Sequence, residues 1–250
     1  MLPEDWSIFQ RYTRRVRTFE FDIGDSRAPD VYRALSFLPT SSPLFPHLQR
    51  VIVRGSDNSK ISDEVLHFVC LLFGQKLVHI DLGMERAEPP QLSLFMNLGN
   101  TCPFIKTASF GLIADSPSAV DALSGAVCCW DHLEELNCNF LNEKAICHLA
   151  GLNSLRSLTF RVPSSQMATY QGFDYPDDKP MLSNLQVLDL RFGNSLPVCA
   201  TFISIIRSVP QRIHLSFNIL NPPHLCKIFS VRLKPSANVP LVEMFALDIG

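Results

Sequence analysis

The sequence has few features that support nucleic-acid binding or a membrane span. Only 18% of its 250 residues are charged, and a formal net charge of −2 provides no basic field for nucleic acid or an anionic membrane surface. The longest apolar stretches, Val65–Phe73 and Thr201–Ile206, are much shorter than the ~20 residues of a membrane-spanning helix. We therefore expect neither nucleic acid nor a membrane among the partners of this protein.

The cysteines lack the spacing of a zinc site or a disulfide framework. No Cys-x-x-Cys pair occurs, and only Cys147-His148 places a histidine directly beside a thiol. The eight cysteines are at positions 70, 102, 128, 129, 138, 147, 199 and 226. We interpret most of them as small, buried apolar side chains, with metal or disulfide use as the alternative, and we expect no metal and no cofactor.

The N-terminus does not resemble a secretory signal. Its first residues contain the acidic pair Glu4-Asp5 and no apolar run, and no Asn-x-Ser/Thr sequon occurs in the chain. These observations favour the cytoplasm or the nucleus, where thiols remain reduced.

A pattern of the form apolar-x-x-apolar-x-apolar recurs about once every 28 residues. A fixed period of this length is typical of a solenoid, and the pattern itself fits leucine-rich repeats. The clear members are Leu48–Val51–Val53, Leu77–Ile80–Leu82, Ile105–Ala108–Phe110, Leu133–Leu136–Cys138, Leu155–Leu158–Phe160 and Leu185–Leu188–Leu190. An opening member is Val16–Phe19–Phe21, and two weaker ones are Pro210–Ile213–Leu215 and Val242–Phe245–Leu247.

Each unit predicts one strand followed by one helix. In the unit from Leu77 to Pro103, alternation places Ile80 and Leu82 on one side of a strand and His79 and Asp81 on the other. Residues 91–98 have apolar side chains at helical spacing, and Gly99-Asn100 predicts the end of that helix. Further helices are predicted after Ser62, from Pro117 to about Cys129, from Asn142 to Gly151, from Thr201 to Val209, and around Cys226.

Because no single unit can bury both its strand face and its helix stripe, the units should stack. The predicted fold is an α/β leucine-rich-repeat solenoid of ribonuclease-inhibitor type, with a curved parallel sheet and helices on the convex side. We expect residues 1–250 to form one such domain of about eight or nine repeats. Residues 1–15 are expected to form a capping helix, on which Trp6, Phe9 and Tyr12 cover the open end of the solenoid.

No catalytic motif occurs in the chain. The sequence lacks Gly-x-Ser-x-Gly, His-Glu-x-x-His and the phosphate-binding Gly-x-x-x-x-Gly-Lys pattern. The seven histidines are scattered about one per unit, as expected for solvated or helix-face residues. We therefore do not expect an enzyme.

The polar side chains of the predicted strands form the first candidate binding surface. They should face the concave side of the solenoid, which is acidic through its middle. We interpret this side as a groove that binds a basic or hydroxyl-rich protein segment. An ordinary hydrated sheet face is the alternative. The candidate residues are Glu20, Arg50, His79, Asp81, Glu135, Asn137, Asp189 and Arg212.

An irregular insertion loop at residues 163–180 is the second candidate. It contains Tyr170, Phe173 and Tyr175 among Asp174, Asp177 and Asp178, and it has no repeat pattern. Exposed aromatic side chains mixed with carboxylates can anchor a protein partner. Long surface loops are also simply tolerated, so this alternative remains open.

The first seventeen residues carry a more specific signal. The pattern Leu2-Pro3-Glu4-Asp5-Trp6-x-x-Phe9-x-x-Tyr12-x-x-Arg15-Val16-Arg17 resembles the stretch that follows the F-box in F-box/leucine-rich-repeat proteins of basidiomycete fungi. Phrases such as Leu155-Arg156-Ser157-Leu158-Thr159-Phe160 are similar to the repeats of that family.

The resemblance implies a role in protein recognition. In that family the repeats recruit the protein to be ubiquitylated, and the F-box binds the Skp adaptor of a cullin ubiquitin ligase. The fifteen residues before Val16 are too few for a three-helix F-box, so adaptor and cullin are expected as partners only of a longer product. The alternative is a free-standing scaffold or inhibitor without a ligase connection.

Overall fold

A computed structural model describes most of the chain, which divides into two compact units, Met1–Asp131 (unit 1) and His132–Gly250 (unit 2). The described residues are 3–22, 31–32, 34–35, 43–55, 63–83, 89–111, 116–162, 182–192, 212–217, 226–234 and 241–249. The predicted insertion loop at 163–180, with Tyr170, Phe173 and Tyr175, and the predicted helix Thr201–Val209 lie outside these residues.

Unit 1 is an α/β arrangement in which helices separate parallel strands. The helices described there over their full length are α1 (Pro3–Thr13), α2 (Asp63–Leu72), α3 (Pro89–Thr101) and α4 (Pro117–Val127). Its strands are β1 (Thr18–Asp22), β2 (Arg50–Arg54), β3 (His79–Leu82) and β4 (Thr107–Phe110). The strands pair in chain order, all parallel, and one row of their register is Phe19, Val51, Ile80 and Ala108.

Unit 2 begins in the same way and ends differently. It contains helix α5 (Glu143–Ala150) and the strands β5 (Glu135–Asn137), β6 (Ser157–Val162), β7 (Val187–Phe192), β8 (Arg212–Phe217), β9 (Cys226–Lys234) and β10 (Leu241–Ile249). Strands β5 to β8 are parallel, and Leu136, Leu158, Leu188 and Ile213 form one row of the register. Strand β9 is antiparallel to both β8 and β10.

The prediction of a wholly parallel sheet is therefore wrong at the C-terminal end. The weak repeat member Val242–Phe245–Leu247 lies in β10, which pairs antiparallel with β9, and Cys226, predicted to be helical, begins β9. A parallel crossover needs a dozen or more residues. Because residues 218–225 and 235–240 are shorter connections than that, β8, β9 and β10 can pair as neighbours only in antiparallel fashion.

The apolar pattern of the sequence defines the core. In all six clear members of the pattern, each of the three apolar side chains is at most 4% exposed. Helix residues complete the burial, since Phe68, Phe95 and Leu149 are 0% exposed. The predicted division of the strands into a buried and a polar side is therefore confirmed where side chains are described, apart from half-buried Phe19 in β1 and buried Ile52 on the outward side of β2.

The same pair of backbone hydrogen bonds recurs at the start of successive strands. One carbonyl accepts from two consecutive N–H groups of the next strand segment, at 2.8–3.1 Å. The accepting carbonyls belong to Arg17, Gln49 and Val78 in unit 1 and to Glu134 and Arg156 in unit 2. Each strand thus begins against its neighbour in the same way, which fixes the register along the parallel part of each unit.

Two predicted helix starts are confirmed by their caps. The Ser116 Oγ accepts a hydrogen bond from the Ala119 N–H at 3.3 Å, directly before Pro117 opens α4. The Asn142 Oδ1 accepts from the Ala145 N–H at 3.1 Å at the start of α5, and Gly151 follows that helix. Both caps satisfy N–H groups that a helix leaves without an internal partner.

The predicted end of α3 at Gly99-Asn100 lies within two residues of the observed end. The helix continues to Thr101, and Gly99 lies inside it. A Cβ atom placed on Gly99 would be 2.9 Å from the Ala126 Cα of α4. The glycine therefore marks a close approach between α3 and α4, an interaction that a local helix-stop rule does not consider.

Where its side chains are described, at residues 7–13, the N-terminal helix packs through one side. The Phe9 ring lies 6.5 Å from the Phe45 ring, and Thr13 is buried. Tyr12, expected to cover the end of the solenoid, is instead 60% exposed, so that expectation is wrong for this residue. Side chains at positions i, i+3 and i+6 fan out over roughly 120° of a helix surface, and Tyr12 falls at the open edge.

Candidate recognition surface

The outward side chains of the strands form one polar surface on each unit. We call them the unit 1 face and the unit 2 face. The unit 1 face comprises Thr18, Glu20, Asp22, Arg50, Ile52, Arg54, His79, Asp81, Thr107 and Ser109. The unit 2 face comprises Glu135, Asn137, Ser157, Thr159, Arg161, Val187, Asp189 and Arg191. Apart from Ile52, every one of these side chains is exposed or half-buried.

The unit 1 face brings four of the predicted site residues together. Arg50 and His79 are register partners in β2 and β3, and Glu20 and Asp81 flank Ile52 in the next row. Neighbouring strands are ~4.8 Å apart, so each row places its side chains within reach of a single bound segment. Ile52 is 7% exposed and forms an apolar floor between the two carboxylates.

Glu20 has a partner that the sequence analysis missed. The Arg54 Nε lies 2.7 Å from the Glu20 Oε1, and the two side chains are 66% and 46% exposed. An exposed pair of this kind contributes only about 0.2–1 kcal/mol to stability. Its main effect is local, because it partly neutralises the carboxylate and holds the guanidinium on the unit 1 face.

The unit 2 face holds the remaining described candidates. Asn137, Thr159 and Asp189 form one row of the register, and Glu135 begins the next. Asp189 has a neighbouring cation, since the Arg191 Nη2 lies 3.5 Å from its Oδ2. The backbone of Arg212 pairs in register with Val187, and its side chain lies outside the described residues.

The charge on these faces is more balanced than the sequence analysis predicts. Besides the candidates, the faces carry one further carboxylate, Asp22, and three further arginines, Arg54, Arg161 and Arg191. Each lies two residues after another outward position, so strict alternation along a longer strand would have found them. Strands β1 and β2 have five residues, and β6 and β7 have six. Each strand therefore continues past the last apolar residue of the repeat pattern and adds one further outward position.

Two of the described cysteines are deeply buried. Burial raises the pKa of the Cys102 thiol from 9.0 to about 12, although a hydrogen bond involving the Gly74 backbone opposes the shift. Burial also raises the pKa of Cys138, which replaces a repeat leucine and is 3% exposed. Thiols that stay protonated are poor nucleophiles and poor metal ligands, so these two fit their interpretation as small core side chains. Cys70, Cys128 and Cys147 are half-buried and Cys129 is exposed, so four of the six described cysteines depart from that interpretation.

The raised pKa of Cys102 predicts a loss of stability in alkali. Between pH 9.0 and about 12 the unfolded chain releases this proton while the folded chain keeps it. The free energy of unfolding should therefore fall as pH rises through that window, by at most about 1.4 kcal/mol per pH unit from this thiol. Urea unfolding at two pH values within the window would measure the slope. A Cys102→Ala variant should show a smaller slope, and an unchanged slope would contradict the assignment.

Among the described residues, no group of three or more His, Cys, Asp or Glu side chains is arranged to hold a metal ion. In the same part of the chain, no helix combines the length and apolar character needed to cross a bilayer.

No model of a known protein family matches the chain, and a search of curated proteins finds no match either.

Proposed function

We propose that this protein is a recognition module built of leucine-rich repeats, which binds a protein partner through the outward faces of its parallel strands. The recurring apolar pattern, the in-register rows of buried residues and the repeated hydrogen-bond pair all support this architecture. Repeats of this kind stack into extended surfaces suited to protein binding.

The main support for the proposal is that the two sides of the strands differ in burial and polarity. One side is sealed by apolar side chains that are almost wholly buried, while the other presents rows of hydroxyl, amide and charged groups. Such rows offer hydrogen bonds and ion pairs to an extended or helical segment lying across several strands. The charge of each face favours a partner segment of mixed charge. On the unit 1 face Asp81 suits a basic group and Arg50 an acidic or hydroxyl group, and on the unit 2 face Glu135 and Arg191 do the same.

The partner class follows from the resemblance of residues 2–17. We propose that the faces recruit the substrate of an F-box-type ubiquitin ligase and that this chain is the substrate-receptor part of such a subunit. Affinity purification of the longest gene product tests this assignment. Recovery of Skp adaptor and cullin with the product supports it, whereas recovery of other proteins without either one favours a free-standing scaffold.

Charge reversal on the faces tests the binding surface itself. Replacing Asp81, Glu135 and Asp189 together with lysine should weaken capture of the partner at least about tenfold, because three favourable ion pairs become repulsive. Quantitative pull-down of the recovered partner measures the effect.

A matched control makes the same charge change away from the strand faces. Asp121, Asp131 and Glu143 lie on or beside helices α4 and α5 and are exposed or half-buried. Their triple lysine variant should retain the partner, and circular dichroism should show both variants folded. Equal recovery by the two variants would remove the strand faces from consideration.

A further inference from the structure

A second surface lies on the outer side of helix α1, apart from the strand faces. Ile8, Arg11, Tyr12 and Arg15 follow one another at the i, i+3, i+4 and i+7 spacing that aligns side chains along one side of a helix. Arg15 lies just beyond the helix, in a turn closed by the hydrogen bond from its N–H to the Tyr12 carbonyl at 2.9 Å. All four side chains are exposed.

This side of α1 exposes large apolar groups. Ile8 is 52% exposed and Tyr12 is 60% exposed, which places two of the most exposed large apolar side chains of the described chain one helical turn apart. The opposite side of the helix is already used, because Phe9 contacts Phe45 and Thr13 is buried. Ile8 and Tyr12 are therefore exposed on a helix whose other side is packed.

The C-terminal end of α1 and the turn that follows it concentrate positive charge. Arg11, Arg14, Arg15 and Arg17 are all exposed, and residues 7–19 contain no aspartate or glutamate. This run of four arginines is flanked by carboxylates at positions 4–5 and at 20 and 22, so the positive charge is confined to the end of α1 and the turn between α1 and β1. Clustered like charges destabilise the folded state slightly and raise the local concentration of anionic groups.

Contacts within the cluster hold its cations in place. The Arg15 guanidinium carbon lies 5.9 Å from the centre of the Tyr12 ring, within the range of a cation–π interaction. The Arg17 Nη1 donates to the Arg14 carbonyl at 3.1 Å and to the His47 carbonyl at 3.4 Å. Side chains ordered before binding lose less entropy when a partner arrives.

We propose that this surface, formed by Ile8, Arg11, Tyr12, Arg14, Arg15 and Arg17, binds an acidic protein segment that carries apolar side chains. Carboxylates of the segment pair with the arginines, and an apolar side chain packs against Ile8 and Tyr12. Nucleic acid would leave Ile8 without a complementary group. A membrane surface would require a broader apolar face than two side chains on a helix whose other side is packed.

Fluorescence anisotropy with a labelled peptide of alternating glutamate and leucine blocks tests the proposal on the full chain. A matched peptide with glutamine in place of glutamate, phosphatidylserine vesicles and a single-stranded oligonucleotide serve as competing probes. The acidic peptide should bind, the glutamine peptide should bind at least about tenfold more weakly, and added salt should weaken the acidic complex.

Variants locate the binding. The double variant Arg11→Glu with Arg15→Glu should bind the acidic peptide at least about tenfold more weakly than the native chain does. Tyr12→Ser should reduce the affinity for that peptide severalfold. The matched control replaces two exposed lysines elsewhere, Lys76→Glu with Lys144→Glu, and should leave the affinity for the acidic peptide unchanged. The proposal would be overturned if the acidic peptide did not bind, or if both peptides bound equally well. It would also be overturned if the lysine control variant lost as much affinity as the arginine variant, or if vesicles or oligonucleotide bound more tightly than the acidic peptide. Partner capture by the strand faces is a separate readout and does not depend on these results.

Discussion

Replacing Leu158 with alanine should lower the free energy of unfolding by about 2–5 kcal/mol. Leu158 is 2% exposed and lies in register between Leu136 and Leu188 in the row of apolar side chains that closes one side of unit 2. Removing its side chain leaves a cavity that the neighbouring strands, fixed by their hydrogen bonds, cannot fill. Urea unfolding followed by circular dichroism measures the change.

Ser157 provides the control, since it is the adjacent residue on the opposite side of the same strand. It is half-buried on the unit 2 face, in register with Glu135 and Val187. Ser157→Ala should change the free energy of unfolding by no more than about 0.5 kcal/mol. Equal effects of the two substitutions would contradict the division of the strand into a sealed and an open side.

Replacing Gly99 with alanine should destabilise the protein by about 1–3 kcal/mol, although alanine is the better helix former. Its Cβ would lie 2.9 Å from the Ala126 Cα and 3.3 Å from the Cys129 Sγ, so α3 and α4 would have to separate. Because the nearest atom belongs to the backbone, a change of side-chain rotamer cannot relieve the contact.

Gly125 is the matched position. It lies in α4, and a Cβ atom there would meet no atom of the described residues within 4 Å. Gly125→Ala should therefore stabilise the protein by about 0.5–1 kcal/mol, through helix propensity alone. Thermal or urea unfolding of both variants gives the comparison. Changes of the same sign would show that α3 and α4 do not approach each other as described.

The parallel part of the fold could be predicted because its signal is periodic and local. The apolar triplets gave the strand positions and their buried sides, and Pro117 and Asn142 marked the starts of α4 and α5. The same pattern in each unit also predicts the register, since equivalent apolar positions such as Ile80 and Ala108 must lie side by side to close the core.

The errors arise where a residue's role depends on distant parts of the chain. Gly99 marks the last turn of α3 locally, but its close approach to Ala126 of α4 could not be read from that signal. Strands β9 and β10 have the apolar content of another repeat, yet their short connections require antiparallel pairing. In such cases connection length would have been a better guide than the apolar spacing.

The candidate site was predicted in part. The outward positions Glu20, Arg50, His79 and Asp81 do lie together on the unit 1 face, because alternation along a strand is set by backbone geometry. The pairing of Glu20 with Arg54 and of Asp189 with Arg191 could not be read from spacing alone. Side chains at the ends of strands are placed by how far each strand extends, which the apolar triplet does not specify.

Photo-cross-linking of the recovered partner tests the central claim most directly. A photoreactive side chain would be placed at Thr107 on the unit 1 face, at Thr159 on the unit 2 face, and at Asp121 and Lys144 on helices α4 and α5. If the outward strand faces bind the partner, cross-links should form from Thr107 or Thr159 and not from the helix positions. Cross-links from Asp121 or Lys144 alone would contradict the account.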